Sequence, residues 1–382
     1  MSTEMEIPLS DPDISLQELA AVEAVLRSPH LSAGSGVAEF EAEFAQYIGR
    51  RYALAVASPT AALMLCLKAY ELVPGDEVIL SPYSWWQIGH ALAWYGVRPV
   101  FADIDYYSGT ISPKNAESRI TGRSRAILAG NTKGHPAFWD ELRAVASANG
   151  LVLLEDSTEA IGSEYEGKLV GNFGDAAIFA FAQPSALLCG EGAMIVTDDT
   201  AVYSRIRQFR GRGIGDRGSV AAATRPPLQV EMSDMQAALG RVQLQRLDGI
   251  LERRHMVESM YFEYMKSFEG IKDPYHGPYA TEVHWFVYEV HLGTRFSRSS
   301  RDAIVNDLRA QGIEAAAYCI PMHNQFYYRE NGGGNCPTAV RVSDRTLILP
   351  FHPRLTEEEI SFIIETLKDA SVNVGAGSAI YL

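Results

Sequence analysis

Strand-like runs alternate with helical stretches along the first half of this sequence, and that alternation constrains the fold more than any other feature. ALAVAS (53–58) reads as a short buried strand, PTAALMLCLKAYEL as a helix whose first turn begins near Thr60, and PGDEVILSP as turn, strand and loop. Residues 86–95 read as helix and PVFADID (99–105) as the next strand. AILAGN (126–131), the helix FWDELRAVASANG and the strand LVLLED (151–156) continue the rhythm. Such alternation implies a largely parallel sheet with helices on both faces. Ligands in these sheets sit outside the carboxyl ends of the strands. The residues to watch are therefore 58–61, Trp85, 131–135, 156–159 and 179–185.

Helix starts are marked as well. Ser15 and Glu18 form a capping box ahead of LQELAAVEAVL, and Ser233 with Gln236 forms another ahead of SDMQAALGRVQLQRLDGILERR. Past about residue 250 the pattern changes. HWFVYEVHL alternates as a strand, RDAIVNDLRAQG is an amphipathic helix closing on glycine, and TEEEISFIIETLKDA carries Ile360, Ile363, Ile364 and Leu367 on one stripe. With 382 residues, two domains are expected. These are a large three-layer α/β/α domain with an N-terminal helix arm over 1–250 and a smaller α+β domain over 251–382.

Composition narrows the partners. A net charge of −14 argues against a general nucleic-acid or membrane surface. No apolar run reaches the roughly 18 residues of a membrane span. The acidic start MSTEMEIPLSD lacks a secretory pattern, and the four cysteines are scattered without metal-like spacing, so a cytoplasmic protein with reduced thiols and no metal is expected. Five arginines crowd into RIRQFRGRGIGDR (Arg205, Arg207, Arg210, Arg212, Arg217), either a solvated or interface loop or an anion site.

Several stretches, in order, carry a resemblance. "VASPTAALMLCLKA", "PGDEVILSPYSW", "LLEDSTEAIGSEYEGKLVGNFGDAAIFAFA", "GEGAMIVTDD", "SDMQAALGRVQLQRLD" and "IPMHNQFYY" resemble successive motifs of the DegT/DnrJ/EryC1/StrS family, from about residue 7 to 370. These are fold-type I, pyridoxal-phosphate-dependent sugar aminotransferases. The resemblance implies the aspartate-aminotransferase-like fold, a homodimer with sites at its interface, and keto-sugar substrates, often nucleotide sugars. It implies that Asp156 partners the pyridine nitrogen and that Trp85 stacks on the ring. Glu159 would face the ring's oxygen side, and Thr60 and Ala61 would meet the phosphate. His135 and His323 fall in loops that line the family's substrate entrance, with His90 after the Trp85 loop, and Tyr318 is a candidate substrate contact.

The departures concern the cofactor itself. The family's anchoring lysine is Ser185, whose hydroxyl cannot make the covalent nitrogen link. Ser58-Pro59-Thr60 stands for Ser-Gly-Thr, and proline lacks an N–H. A phosphate-binding serine is Ala180. The Asn-x-Arg that would meet phosphate and a substrate anion is Gln229-Val230-Glu231, which reverses a charge. Of the seven lysines, Lys168 lies in a turn that the family shares, and only Lys133, in place of an uncharged loop residue, is a conceivable substitute.

These losses lead to an expectation that no cofactor is used. The chain would be a repurposed enzyme of sugar or natural-product biosynthesis, running dehydration, cyclisation or condensation through Asp156, Glu159, Ser185 and a histidine. Trp85, Tyr318, Gln229 and Glu231 would line its substrate site. Two alternatives stay open. One is a non-catalytic partner that forms a heterodimer with an active homologue. The other is an enzyme that takes pyridoxamine or pyridoxal phosphate non-covalently.

Overall fold

The computed structural model describes residues 6–84, 86–211, 226–266, 268, 270–330 and 334–379. Its centre is a seven-stranded sheet. In spatial order the strands are β1 (Tyr52–Val56), β9 (Ala193–Thr197), β8 (Ala176–Ala180), β5 (Val152–Asp156), β4 (Ser124–Gly130), β2 (Glu77–Leu80) and β3 (Arg98–Phe101). Neighbours from β8 to β3 pair in parallel. β9 runs antiparallel to both β8 and β1, so every strand but β9 points the same way. The carboxyl ends of β1, β8, β5, β4 and β2 thus share one rim.

Strand side chains alternate between faces, and both faces are covered. Leu54, Val56, Leu80, Leu128, Leu154 and Ile178 pack on one side against the helices Pro59–Ala69, Trp86–Tyr95 and Thr200–Arg210. Opposite them, Ala55, Phe179 and Met194 meet the helix Ser35–Ile48 through Phe40 and Phe44, while Ile127 and Leu153 meet the helix Trp139–Ala148. This is the expected three-layer arrangement.

A second sheet, with order β10 (Ile271–Lys272), β12 (Tyr288–Leu292), β14 (Thr346–Leu349) and β13 (Ala316–Ala317), is wholly antiparallel. The helices Arg298–Ala310 and Glu357–Ala379 cover it, and Ile360, Ile363, Ile364 and Leu367 are all buried there. A small third sheet joins β6 (Glu164–Tyr165) and β7 (Lys168–Leu169) to β11 (Ala280–Glu282). Both expected capping boxes are present, at Ser15 and Ser233.

The long helix expected from Ser233 is two helices, Asp234–Gln245 and Leu247–Met265. It breaks at Arg246, whose guanidinium reaches the carboxylates of Asp13 and Glu18. The sequence boundary at 250 falls inside the second of these. Leu247 and Leu251 pack in the large-domain core, whereas Val257, Tyr261 and Met265 pack in the small one. Ile7, near the other end of the chain, also lies in the small-domain core and pairs with Ile313.

One buried carboxylate ties the middle of the large sheet together. Glu155 Oε1 accepts hydrogen bonds from Asn131 Nδ2 (3.0 Å), Ser157 Oγ (2.9 Å) and the Gly171 N–H, and Oε2 accepts from the N–H groups of Phe173 (2.9 Å) and Gly174 (3.0 Å). Removing it takes the acceptor from five donors at once, most of them buried. Glu155→Ala is expected to lower unfolding stability by at least about 3 kcal/mol, read from urea denaturation against wild type.

Candidate functional site

Alternation along β5 decides which way its last residues look. Leu154 packs on the face of the helix Pro59–Ala69, so Asp156 continues that face while Glu155 takes the other. Asp156 is buried. Its Oδ1 accepts from Thr158 N–H (3.0 Å) and Thr158 O–H (2.6 Å), and among the described residues Oδ2 accepts nothing. Burial pushes the carboxyl up to about 6, against those two hydrogen bonds. Gly130, beside it on β4, leaves room, since a Cβ there would lie 3.7 Å from Asp156 Oδ2.

Glu159 follows in the same loop. Oε2 accepts the Lys133 backbone N–H (2.5 Å) and Oε1 the Tyr318 hydroxyl (2.7 Å). Burial, with the nearby charge of Asp156, pushes this carboxyl up to about 7 despite both donors. Tyr318 is buried as well, and its phenol is held protonated by burial and by the Glu159 charge.

At the end of β1, Ser58 Oγ caps the helix Pro59–Ala69 by accepting from Ala61 N–H (3.2 Å). Pro59 occupies the first helical position, where its missing N–H removes only a group that no helix satisfies internally. The helix therefore starts intact, and the Thr60 N–H and hydroxyl make no hydrogen bond among the described residues. Ala180 ends β8 one strand over from Asp156. Ser185, buried in the turn that follows, donates its N–H to Ala182 O (3.0 Å) and accepts from Leu187 N–H (3.4 Å). Residues 229–231 run along the end of β1. Glu231 bridges Val56, and its carboxylate packs on Gly211, while Gln229 is exposed. Trp85, Arg212 and Arg217 lie outside the described residues.

The histidines are placed differently. His135 Nδ1 donates to Pro136 O (2.8 Å) and Nε2 accepts from Gly277 N–H (3.0 Å). It is packed among Tyr275, Tyr279 and Trp285, and burial pushes it down to about 4. Its neutral ring is thus fixed by backbone on both sides. His323 is buried beside Phe101, and its Nδ1 has no partner among the described residues. His90 is exposed on the helix Trp86–Tyr95. Lys168 is exposed, its ammonium 3.5 Å from the Asn172 carbonyl and 5.5 Å from the centre of the Phe173 ring.

Two residues of this region escaped the sequence reading, Tyr83 and Glu289. Lys133 is buried, with its ammonium 2.5 Å from Glu289 Oε1 and 5.5 Å from the centre of the Tyr83 ring. Tyr83 donates to Glu289 Oε2 (2.6 Å). The one available signal was Glu289 itself, a charge inside the apolar alternation FVYEVHL.

Comparison with known proteins settles the lineage. The model of the DegT/DnrJ/EryC1/StrS aminotransferase family matches residues 12–368. The chain belongs to this family. It is 33% identical over 383 residues to the spore coat polysaccharide biosynthesis protein SpsC of Bacillus subtilis (strain 168), covering 95% of this chain and 96% of SpsC. It superimposes on the putative sugar aminotransferase Spr1654 of Streptococcus pneumoniae in its PMP form with a TM-score of 0.92 and in its PLP form with 0.91. Both are 26% identical, and they cover 98% and 97% of this chain and all of that one. The expectation that no cofactor is used is therefore corrected, because the family and these neighbours are pyridoxal- or pyridoxamine-phosphate aminotransferases. That expectation gave more weight to the changes at Pro59, Ala180, Ser185 and Glu231 than to the residues that match the family, Trp85, Asp156 and Glu159. No helix among the described residues is long and apolar enough to cross a membrane.

The two raised acids make stability fall with pH. In the cofactor-free protein Asp156 moves from its ordinary 3.8 to about 6 and Glu159 from 4.5 to about 7. Between those values the folded state binds more protons than the unfolded one. Each acid's contribution is therefore complete below its unfolded value and is lost as pH rises through its folded value, at up to ~1.4 kcal/mol per pH unit. Asp156→Asn and Glu159→Gln should each gain stability relative to wild type between pH 4.5 and pH 8 in urea titrations. An equal difference at both ends would contradict the assignment.

Proposed function

We propose that this chain acts on a sugar substrate with pyridoxamine or pyridoxal phosphate held without a covalent link. One observation carries the reading: Asp156 is buried with a free Oδ2 beside Gly130, on the rim that also holds an intact helix start at Thr60, while residue 185 is serine. When bound, the cofactor supplies an electron-accepting ring and, in its amine form, the nitrogen to be transferred.

The protein's own parts divide the rest. Asp156 Oδ2 holds the proton of the ring nitrogen. The Thr60 N–H and hydroxyl, at the positive end of a helix, meet the phosphate. Ala180 supplies no hydroxyl and Pro59 no N–H, which weakens the hold by about 1.5–3 kcal/mol for each charge-assisted bond forgone. Serine at 185 offers no amine, so proton movement falls to Glu159. With its carboxyl near 7 it is partly ionised at neutral pH and can both take and return a proton. Tyr318 keeps that carboxyl oriented from the small domain. We place the sugar over the same rim and the working protein in a homodimer.

Calorimetric titration of the purified protein with pyridoxamine phosphate is expected to saturate at one per chain, and Asp156→Asn should weaken it roughly 10- to 100-fold, the size of one charged hydrogen bond. Borohydride reduction in the presence of pyridoxal phosphate, followed by peptide mass mapping, should label no lysine in wild type and position 185 in Ser185→Lys. An adduct on Lys133, or absence of binding by wild type, would overturn the reading.

A further inference from the structure

Five residues form a ring of close polar contacts behind the candidate site. The Lys133 N–H donates to Glu159, and the Lys133 ammonium pairs with Glu289. The Tyr83 hydroxyl donates to Glu289, with the Tyr318 carbonyl oxygen 2.8 Å from it, and the Tyr318 hydroxyl returns to Glu159. Thr346 braces the far side, its hydroxyl donating to the same Tyr318 carbonyl (2.7 Å). Tyr83, Lys133 and Glu159 leave the ends of β2, β4 and β5, whereas Glu289, Tyr318 and Thr346 belong to the small-domain sheet region. All six are buried. Lys133 is held at φ 61°, a left-handed conformation uncommon for a residue with a side chain. That conformation lets one residue turn its N–H to Glu159 and its side chain to Glu289.

We propose that Lys133 is a positioning residue for this site: its N–H and its ion pair with Glu289 fix Glu159 against Tyr318, and its ammonium governs the charge that Glu159 carries. Among the described residues the groups that face Glu159 are few. Asp156 lies on its own loop, Lys133 on the β4 loop, and Tyr318 and Cys319 on the small domain, with Tyr83 and Glu289 one bond behind. Asp156 makes ionisation harder, burial keeps both tyrosines and Cys319 protonated, and Lys133 is the one cation among them. In a dry site an ammonium favours the ionised carboxyl, and without it the acid holds its proton to higher pH. The role concerns the acid itself and is measured without cofactor, so it can fail while the proposed function stands, and the reverse.

The test is the titration of Glu159 in full-length protein labelled with carbon-13 at the glutamate carboxyls, its resonance assigned by loss in Glu159→Gln. Lys133→Met keeps the backbone N–H and removes only the charge. It should raise the Glu159 midpoint by about one pH unit or more, and Lys133→Arg should restore it. A midpoint unmoved or lowered in Lys133→Met would overturn the proposal, as would failure of arginine to rescue it. Should Lys133→Met not fold, Glu289→Gln carries the test. With the ammonium freed of its counter-charge the midpoint should fall, and an unchanged or raised value would overturn the proposal.

Discussion

Two adjacent carboxylates at the end of the central strand meet opposite fates, and the rest of the site follows from that. Burying a carboxylate away from water is costly unless donors replace the water. Glu155 and Asp156 are both buried, and strand alternation sends them to opposite faces. On its side Glu155 receives five donors and becomes a structural knot beneath the 171–174 segment. Asp156 receives two, both from Thr158 and both on one oxygen. The sheet thus saturates one acid and leaves the other with one oxygen that accepts nothing among the described residues.

The large domain was legible because its signals are local. Short strand-like runs alternating with helical ones and two capping boxes each declare themselves within a few residues, and most strands and helices lie where those signals put them. What the sequence hid depends on distant partners. The break at Arg246 is fixed by Asp13 and Glu18, more than two hundred residues earlier. His135 looks like an entrance residue until the Gly277 N–H takes its second nitrogen. Lys133 reads as an odd loop cation until Glu289, 156 residues away, is found beside it.

The error over the cofactor has a physical cause too. Counting changed residues treats every loss as a loss of binding. Pro59 does remove one first-turn N–H that could meet an anion, but Thr60 behind it keeps its own N–H and hydroxyl. A binding site is measured by the donors and acceptors left facing it.

The charge balance of the rim explains how those leftovers work together. Asp156, Glu159 and Glu289 are three buried carboxyls of this region, where among the described residues one buried ammonium, Lys133, pairs with Glu289. With that deficit of positive charge, burial holds protons on Asp156 and Glu159 to higher pH than either would keep them in water. A protonated ring nitrogen at Asp156 would make up part of the deficit, favouring ionised Asp156 and lowering the total charge that Glu159 must tolerate. Glu159 is also held by Tyr318 and, through Lys133, by Glu289, both from the small domain. Any change in its charge is therefore felt across the domain boundary. The setting of Glu159 is therefore shared by both domains.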